Sequence, residues 1–298
     1  MSDRRKPTLS QYSELWLWAL LRRMSVDRAS GIGAWLGARK AREGIGAGRL
    51  WVQRMHTNLE RLCGVNDAAE RERRIVAFAA RMGRLHAEYA VLDKIVHSGR
   101  LEMVGLEHLR GQERPAIIFS GHLANWELAG YPMALLDNGC CALHESLDNP
   151  VRQRLATRTR SWLRPDFQLI PASSQAMRRI TKALAGGSNL LLYIDEHKDN
   201  LVWGPSLGRT LPNAGNRWLA ARLAVRYQAD LVPVHIQRTG DARYRLVVEP
   251  RLHSAAVGKD ERIADFASQM DRYLEAWVMA NPEDWYGLSL FEPDRPFP

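Results

Sequence analysis

The chain has 298 residues, 46% hydrophobic and 25% charged, the composition of an ordinary globular protein long enough to bury a sizeable core. Its formal net charge of +9 is concentrated: residues 1–54 hold 11 Lys/Arg against 4 Asp/Glu, and residues 148–182 hold 8 against 2. Such blocks suit phosphates, on nucleic acid or on anionic lipid, while three cysteines (Cys63 and the adjacent Cys140 and Cys141) argue against a disulfide framework and match no zinc spacing.

The first apolar run is Leu15-Trp16-Leu17-Trp18-Ala19-Leu20-Leu21. A spanning helix takes about 20 apolar residues, so this run is too short to cross a bilayer. It is bounded by Glu14 and Arg22-Arg23, and no small-residue cleavage site follows it as in a signal peptide. A Trp/Leu run ending in arginines fits a helix lying in the lipid interface, where the indole ring is buried and its N–H stays wet. Packing of the same run on the protein's own core is the alternative.

Residues 11–97 read as helical. Val26, Ala29, Ile32, Gly33 and Leu36 recur at helical spacing, and further helices are expected over about 51–62 and 68–95. Strand signals begin after that, at 116–119, 189–194, 231–236 and 244–248. Helical stretches are expected between them at 124–136, 150–162, 173–185 and 214–228, and a last one at about 260–280. Alternating strands and helices predict an α/β fold, with a mixed central sheet flanked by helices. Residues 98–298 would form this core, and residues 1–97 a helical cap and membrane-surface segment continuous with it.

The segment that carries chemistry is Phe119-Ser120-Gly121-His122-Leu123-Ala124-Asn125-Trp126-Glu127. On a regular helix, residues five apart point about 140° away from each other. His122 and Glu127 meet only if the histidine sits in the turn before the helix. Glu127 would then fix the imidazole tautomer and make the other nitrogen a better base toward a hydroxyl. Backbone amides at the helix start would be placed to hold an oxyanion. A satisfied structural histidine is the competing reading. The chain has no Gly-x-Ser-x-Gly elbow, no phosphate-binding Walker loop and no HExxH motif.

In these residues the chain resembles the bacterial lipid A biosynthesis acyltransferases, the lauroyl/myristoyl transferase family within the lysophospholipid acyltransferase superfamily. The superfamily signature is His-x4-Asp/Glu, and GHLANWE is close to this family's version. Further likenesses follow in family order: the helical segment from Met55 to Tyr89, NPVRQRLATRTRSW, LLLYIDEHKDNLVWGPSLGRTLP and NPEDWYGLSLF, together spanning about residues 14–291. The resemblance implies that His122 is the general base and Glu127 its partner. It also implies that Asn125, Arg160, Asp195 and Arg209 line a substrate cleft. Among the neighbouring arginines, Arg154 and Arg158 are alternatives to Arg160 as ligands. Arg209 would hold a phosphate, for which a guanidinium offers a fork of donors.

The implied reaction moves a fatty acyl group from a thioester, acyl-ACP or acyl-CoA, to the hydroxyl of an anionic lipid or glycolipid. It needs no cofactor and no metal. The implied place is the cytoplasmic face of the bacterial inner membrane, held peripherally. Three departures bear on the acceptor. Asp195-Glu196 stands where the family has Asp-Gln, Pro205-Ser206-Leu207 precedes Gly208-Arg209 in place of a Phe pair, and Tyr286–Phe291 replaces a basic, aromatic ending. A lipid A precursor, another glycolipid and a lysophospholipid all remain open as acceptors. A thioesterase or lipid hydrolase with the same dyad is the rival enzyme. A nucleic-acid partner is not expected, because the aromatics sit in an apolar run and are not interleaved with the basic residues.

Overall fold

The structure is a computed structural model that describes residues 9–111, 113–145, 153, 155, 157, 160 and 167–297. Among the described residues five α-helices precede the first strand: α1 (Leu9–Arg23), α2 (Val26–Gly46), α3 (Leu50–Cys63), α4 (Ala68–Glu88) and α5 (Leu92–His97). Their ends follow local chemistry. The side chains of Ser25 and Asp67 accept from the Arg28 and Glu70 amides to cap α2 and α4, and α3 stops at Gly64 in the left-handed region. The single helix expected over 68–95 is broken: Val91 leaves helical geometry at φ −126°, ψ 20°, and a 3-10 turn (Tyr89–Val91) joins α4 to α5.

Helices α2 and α4 touch backbone to backbone. A Cβ on Gly33 would lie 2.2 Å from the Gly83 carbonyl oxygen, and one on Gly83 would lie 2.0 Å from that of Gly33. One turn on, Gly37 meets Ala79 in the same way. The apolar run of α1 is divided between two environments. Leu21 is buried and Trp18 half-buried, whereas Trp16, Leu17 and Leu20 are exposed, Trp16 to 76%. The run is thus partly packed on the protein's own core and partly exposed. No helix among the described residues is long and apolar enough to cross a membrane.

The strands are β1 (Leu101–Val104), β2 (Ala116–Ser120), β3 (Cys140–His144), β4 (Gln168–Pro171), β5 (Asn189–Tyr193), β8 (Asp230–Gly240) and β9 (Arg243–Val248). They form one sheet in the order β1-β9-β8-β2-β5-β3-β4, parallel except for the β8–β9 pair. The mixed sheet flanked by helices is thus the fold. A separate two-stranded ribbon, β6 (His197–Lys198) and β7 (Leu201–Val202), turns through Asp199 and Asn200, both at positive φ. Helices α6 (Ala176–Ala185), α7 (Gly215–Tyr227) and α8 (Lys259–Ala280) complete the fold.

Strand β2 is buried at all five positions, as befits a strand covered on both faces. Ile117 and Phe119 enter one core with residues of α3, α4, α6, α7 and α8. Ala116 and Ile118 enter a second core with α5 and the 126–135 segment. Cys141 and Cys140 divide in the same alternation, each a small buried residue. The segment expected as a helix over 124–136 is a 3-10 run (Trp126–Leu135). Pro132 removes an amide and restricts the residue before it, which disfavours an α-helix there. Of the helix expected at 150–162, only positions 153, 155, 157 and 160 are described, all helical; Arg154 and Arg158 lie outside the described residues.

Candidate active site

The site forms where β2 and β5 end side by side. Ser120 pairs with Tyr193 in parallel register, and the Ile194 amide donates to the Ser120 carbonyl at 2.9 Å. Two residues beyond that pair, just past the ends of these adjacent strands, stand His122 and Asp195. His122 Nδ1 lies 2.8 Å from Asp195 Oδ1, and the His122 amide donates to Asp195 Oδ2 at 2.7 Å. Trp285 Nε1 also donates to Oδ2, at 3.0 Å. Gly121 has to be glycine, because a Cβ there would fall 2.5 Å from Leu274 and 3.3 Å from Asp195 Oδ2.

The Asp195 side chain is 1% exposed and that of His122 28%. Burial alone would lower the His122 pKa. The charge and hydrogen bond of Asp195, with smaller contributions from Glu127 and Glu196, reverse this and raise it above the ordinary 6.5. With Nδ1–H held by the carboxylate, the neutral ring keeps its lone pair on Nε2, the arrangement of a general base. Tyr193 stacks on the imidazole at 4.4 Å between centroids, and Trp126 meets it edge-on at 5.2 Å. The Tyr193 hydroxyl donates to the Trp126 carbonyl, fixing both walls.

The C-terminal segment closes the loop from below. Leu123 and Trp285 form an antiparallel bridge, the Tyr286 amide donates to the His122 carbonyl, and the Ala124 amide donates to the Asp284 carbonyl. Ala124 sits at φ +50°, a conformation that costs a non-glycine residue energy and is held here by these contacts. The amides of His122, Leu123 and Ala124 are thereby committed to Asp195, the Gly121 carbonyl and the Asp284 carbonyl, which leaves none of the three for an oxyanion.

Glu127 is not the hydrogen-bond partner of His122. Arg160 grips its carboxylate with two bonds, Nε to Oε2 at 2.8 Å and Nη2 to Oε1 at 2.7 Å, and Tyr89 donates to Oε1 at 2.7 Å. Burial would raise the Glu127 pKa, but the Arg160 charge and these bonds lower it net, so the group is a fixed anion. The reason for the correction is the chain path. Ala124 turns the backbone, and the 3-10 run that follows carries Glu127 toward α4 and away from the imidazole. The anion still acts on His122 through space.

Asn125 is likewise not open to a substrate. It is buried and donates to Glu88 Oε2 at 2.9 Å, where Tyr244 also donates and Ser30 reaches Oε1. Arg209 stands apart from this group. Its guanidinium donates to the carbonyls of Ser206, Val202 and Pro205 and lies over Phe291 at 4.4 Å. Burial lowers its pKa to about 10, and its Nη1 is buried without a partner among the described residues. Glu196, beside Asp195, is pushed up to about 7, chiefly by burial.

The model of the bacterial lipid A biosynthesis acyltransferase family matches residues 11–289. The chain belongs to that family. It is an acyltransferase. Two other likenesses are weaker. The crystal structure of the 1-acyl-sn-glycerophosphate (LPA) acyltransferase PlsC from Thermotoga maritima superposes with a TM-score of 0.38 at 13% identity, over 76% of this chain and 95% of that one. So loose a superposition carries no argument. Small ribosomal subunit protein uS4 of Verminephrobacter eiseniae is 29% identical over 109 residues, 37% of this chain, and the match spans about half (49%) of that protein's length. It assigns no family.

In this acyltransferase, the structure joins two pairs that the sequence had distributed differently: His122 with Asp195, and Glu127 with Arg160. Sequence reasoning missed Tyr89, Tyr193 and Trp285 as parts of the site. Trp285 lay in a segment noted for its resemblance, and Tyr89 closed another. Tyr193 lay in a third such segment, but its role depends on strand register.

Proposed function

We propose that the chain transfers a fatty acyl group from a thioester, acyl-ACP or acyl-CoA, to the hydroxyl of a lipid, with His122 as general base and Asp195 as the residue that orients it. The observation that carries this reading is the His122 Nδ1–Asp195 contact, which directs Nε2 away from the carboxylate in a half-exposed, aromatic-walled position. Nε2 takes the proton of the acceptor hydroxyl as its oxygen attacks the thioester carbonyl. The tetrahedral intermediate collapses with cleavage of the C–S bond, and the imidazolium returns the proton to the departing thiolate. Base catalysis of this kind contributes about 10²- to 10⁴-fold. Glu127 and Arg160 act as a rigid clamp beside the base.

The acceptor is an anionic lipid or glycolipid, a lipid A precursor first among them, met at the cytoplasmic face of the inner membrane. Support comes from the basic N-terminal block together with the exposed Trp16, Leu17 and Leu20 of α1 and Trp35 and Leu36 of α2. The test is turnover of an acyl thioester with and without lipid acceptors, with the products identified by mass spectrometry. Acylated lipid formed only with wild-type His122 supports the reading. Thiol release that is independent of any acceptor would make the enzyme a hydrolase.

A further inference from the structure

A cavity of about 260 Å³ opens beside the site loop, against the middle of β8. Leu123 forms one wall, Trp277 and Tyr273 of α8 a second, and His235, Gln237 and Glu249 the third. Leu123 is the neighbour of His122, so the cavity and the base share a loop.

His235 is built into this wall with unusual care for a residue outside the site. Its ring is stacked on Trp277 at 4.7 Å and 22°, and its side chain is 7% exposed. Gln237 Nε2 lies 3.0 Å from His235 Nε2. An amide NH₂ only donates, so Nε2 accepts, and the proton of the neutral ring sits on Nδ1. Burial lowers the His235 pKa to about 4, which keeps the ring neutral. Nδ1 is buried and has no partner among the described residues. The nearest acceptor, Glu249 Oε1, is 3.9 Å away, beyond hydrogen-bonding range.

The lining is therefore an apolar trough edged by two carboxylates and the side-chain amides of Gln237 and Asn281. It contains no Lys or Arg, while Glu249 and Asp284 are acidic. Such a wall disfavours phosphate or a free fatty acid. It suits a slender, uncharged chain whose polar atoms are amides and hydroxyls, and the volume lies below the usual range for drug-sized ligands.

We propose that this cavity holds the pantetheine arm of the thioester donor, an inference that rests on the donor reading above. The arm is common to acyl-CoA and to acyl carrier protein and is uncharged between its phosphate and its sulfur. A hydroxyl or amide of the arm donates to Glu249, and its methylenes lie along Trp277 and Leu123.

The test combines binding and kinetics on the full chain. Free pantetheine is titrated by calorimetry into the wild type, Ala276→Leu, which narrows the cavity, and Glu249→Gln, which removes the acceptor charge without changing size. The donor KM is then measured with an acyl-CoA and with an acyl-ACP. The expected result is pantetheine binding by the wild type, weakened about tenfold or more by either change, as for loss of about 1.4 kcal/mol. Donor KM should rise by a similar factor for both donors, with acceptor KM unchanged. If both variants bind pantetheine and both donors like the wild type, the arm lies elsewhere although acyl transfer stands. A raised KM for one donor alone would also overturn the proposal, because the arm is common to both. If the wild type transfers no acyl group from any thioester, the donor reading itself fails, and the proposal with it.

Discussion

Asp195 uses its two oxygens for different tasks. One fixes the imidazole, and the other ties together the His122 backbone and Trp285. Asp195→Asn should lower kcat/KM by about 10²-fold or more, since an amide no longer enforces the tautomer. The pH profile supplies a sign. The base works when neutral, so the acidic limb of kcat/KM lies above pH 6.5 in the wild type, where the His122 pKa is raised. Removing the carboxylate lowers that pKa, and the limb should move to lower pH. An unmoved limb would mean that the pair does not set the base. Glu127→Gln is a different experiment. It leaves the buried Arg160 guanidinium without its counter-charge and should cost about 3–5 kcal/mol in urea unfolding. Because the folded Glu127 pKa is depressed, the stability it confers is present above the unfolded value of about 4.3 and is lost as pH falls through the lower folded value. The wild type should therefore lose more stability on acidification than Glu127→Gln.

At the scale of elements, the long helices and the hydrophobic strands were legible in the sequence because each follows a local period. The strands β1, β3 and β4 were not. Cys140-Cys141-Ala142 is built of small residues, and β1 is a four-residue edge strand that alternates half-buried with exposed positions. The site was legible in composition but not in pairing. His122 and Asp195 are 73 residues apart and meet through the Ser120–Tyr193 register, which no spacing rule encodes, whereas the five-residue spacing to Glu127 suggested a contact that the turn at Ala124 prevents. The α2–α4 contact provides a test at this scale. Gly83→Ala gains about 1 kcal/mol of helix propensity, but its methyl would meet the Gly33 carbonyl at 2.0 Å. Overpacking of this kind costs about 1–3 kcal/mol, so the melting temperature should fall. A rise would show that the two helices separate without penalty.

For the whole molecule, the question is how the N-terminal helices meet a lipid surface without losing their own packing. Deleting residues 1–24 would remove Leu21 from the core and the Arg22–Asp93 pair with it, and so confound binding with folding. Trp16→Ser with Leu20→Ser changes only exposed side chains. The double variant should keep the wild-type melting temperature and bind anionic vesicles several-fold more weakly in a sedimentation assay, with binding by both proteins falling as salt rises. Wild-type partitioning of the variant would assign the exposed face to some other contact. The closure of the loop by Asp284, Trp285 and Tyr286 has a consequence in time. A nascent chain that has emerged only as far as Ala280 already contains His122 and Asp195, yet it lacks the indole that steadies the carboxylate and the Asp284 carbonyl that holds Ala124 in its turn. The base is completed only once residues 284–286 have left the ribosome, so a copy cut off before them should have little capacity to spend activated acyl groups.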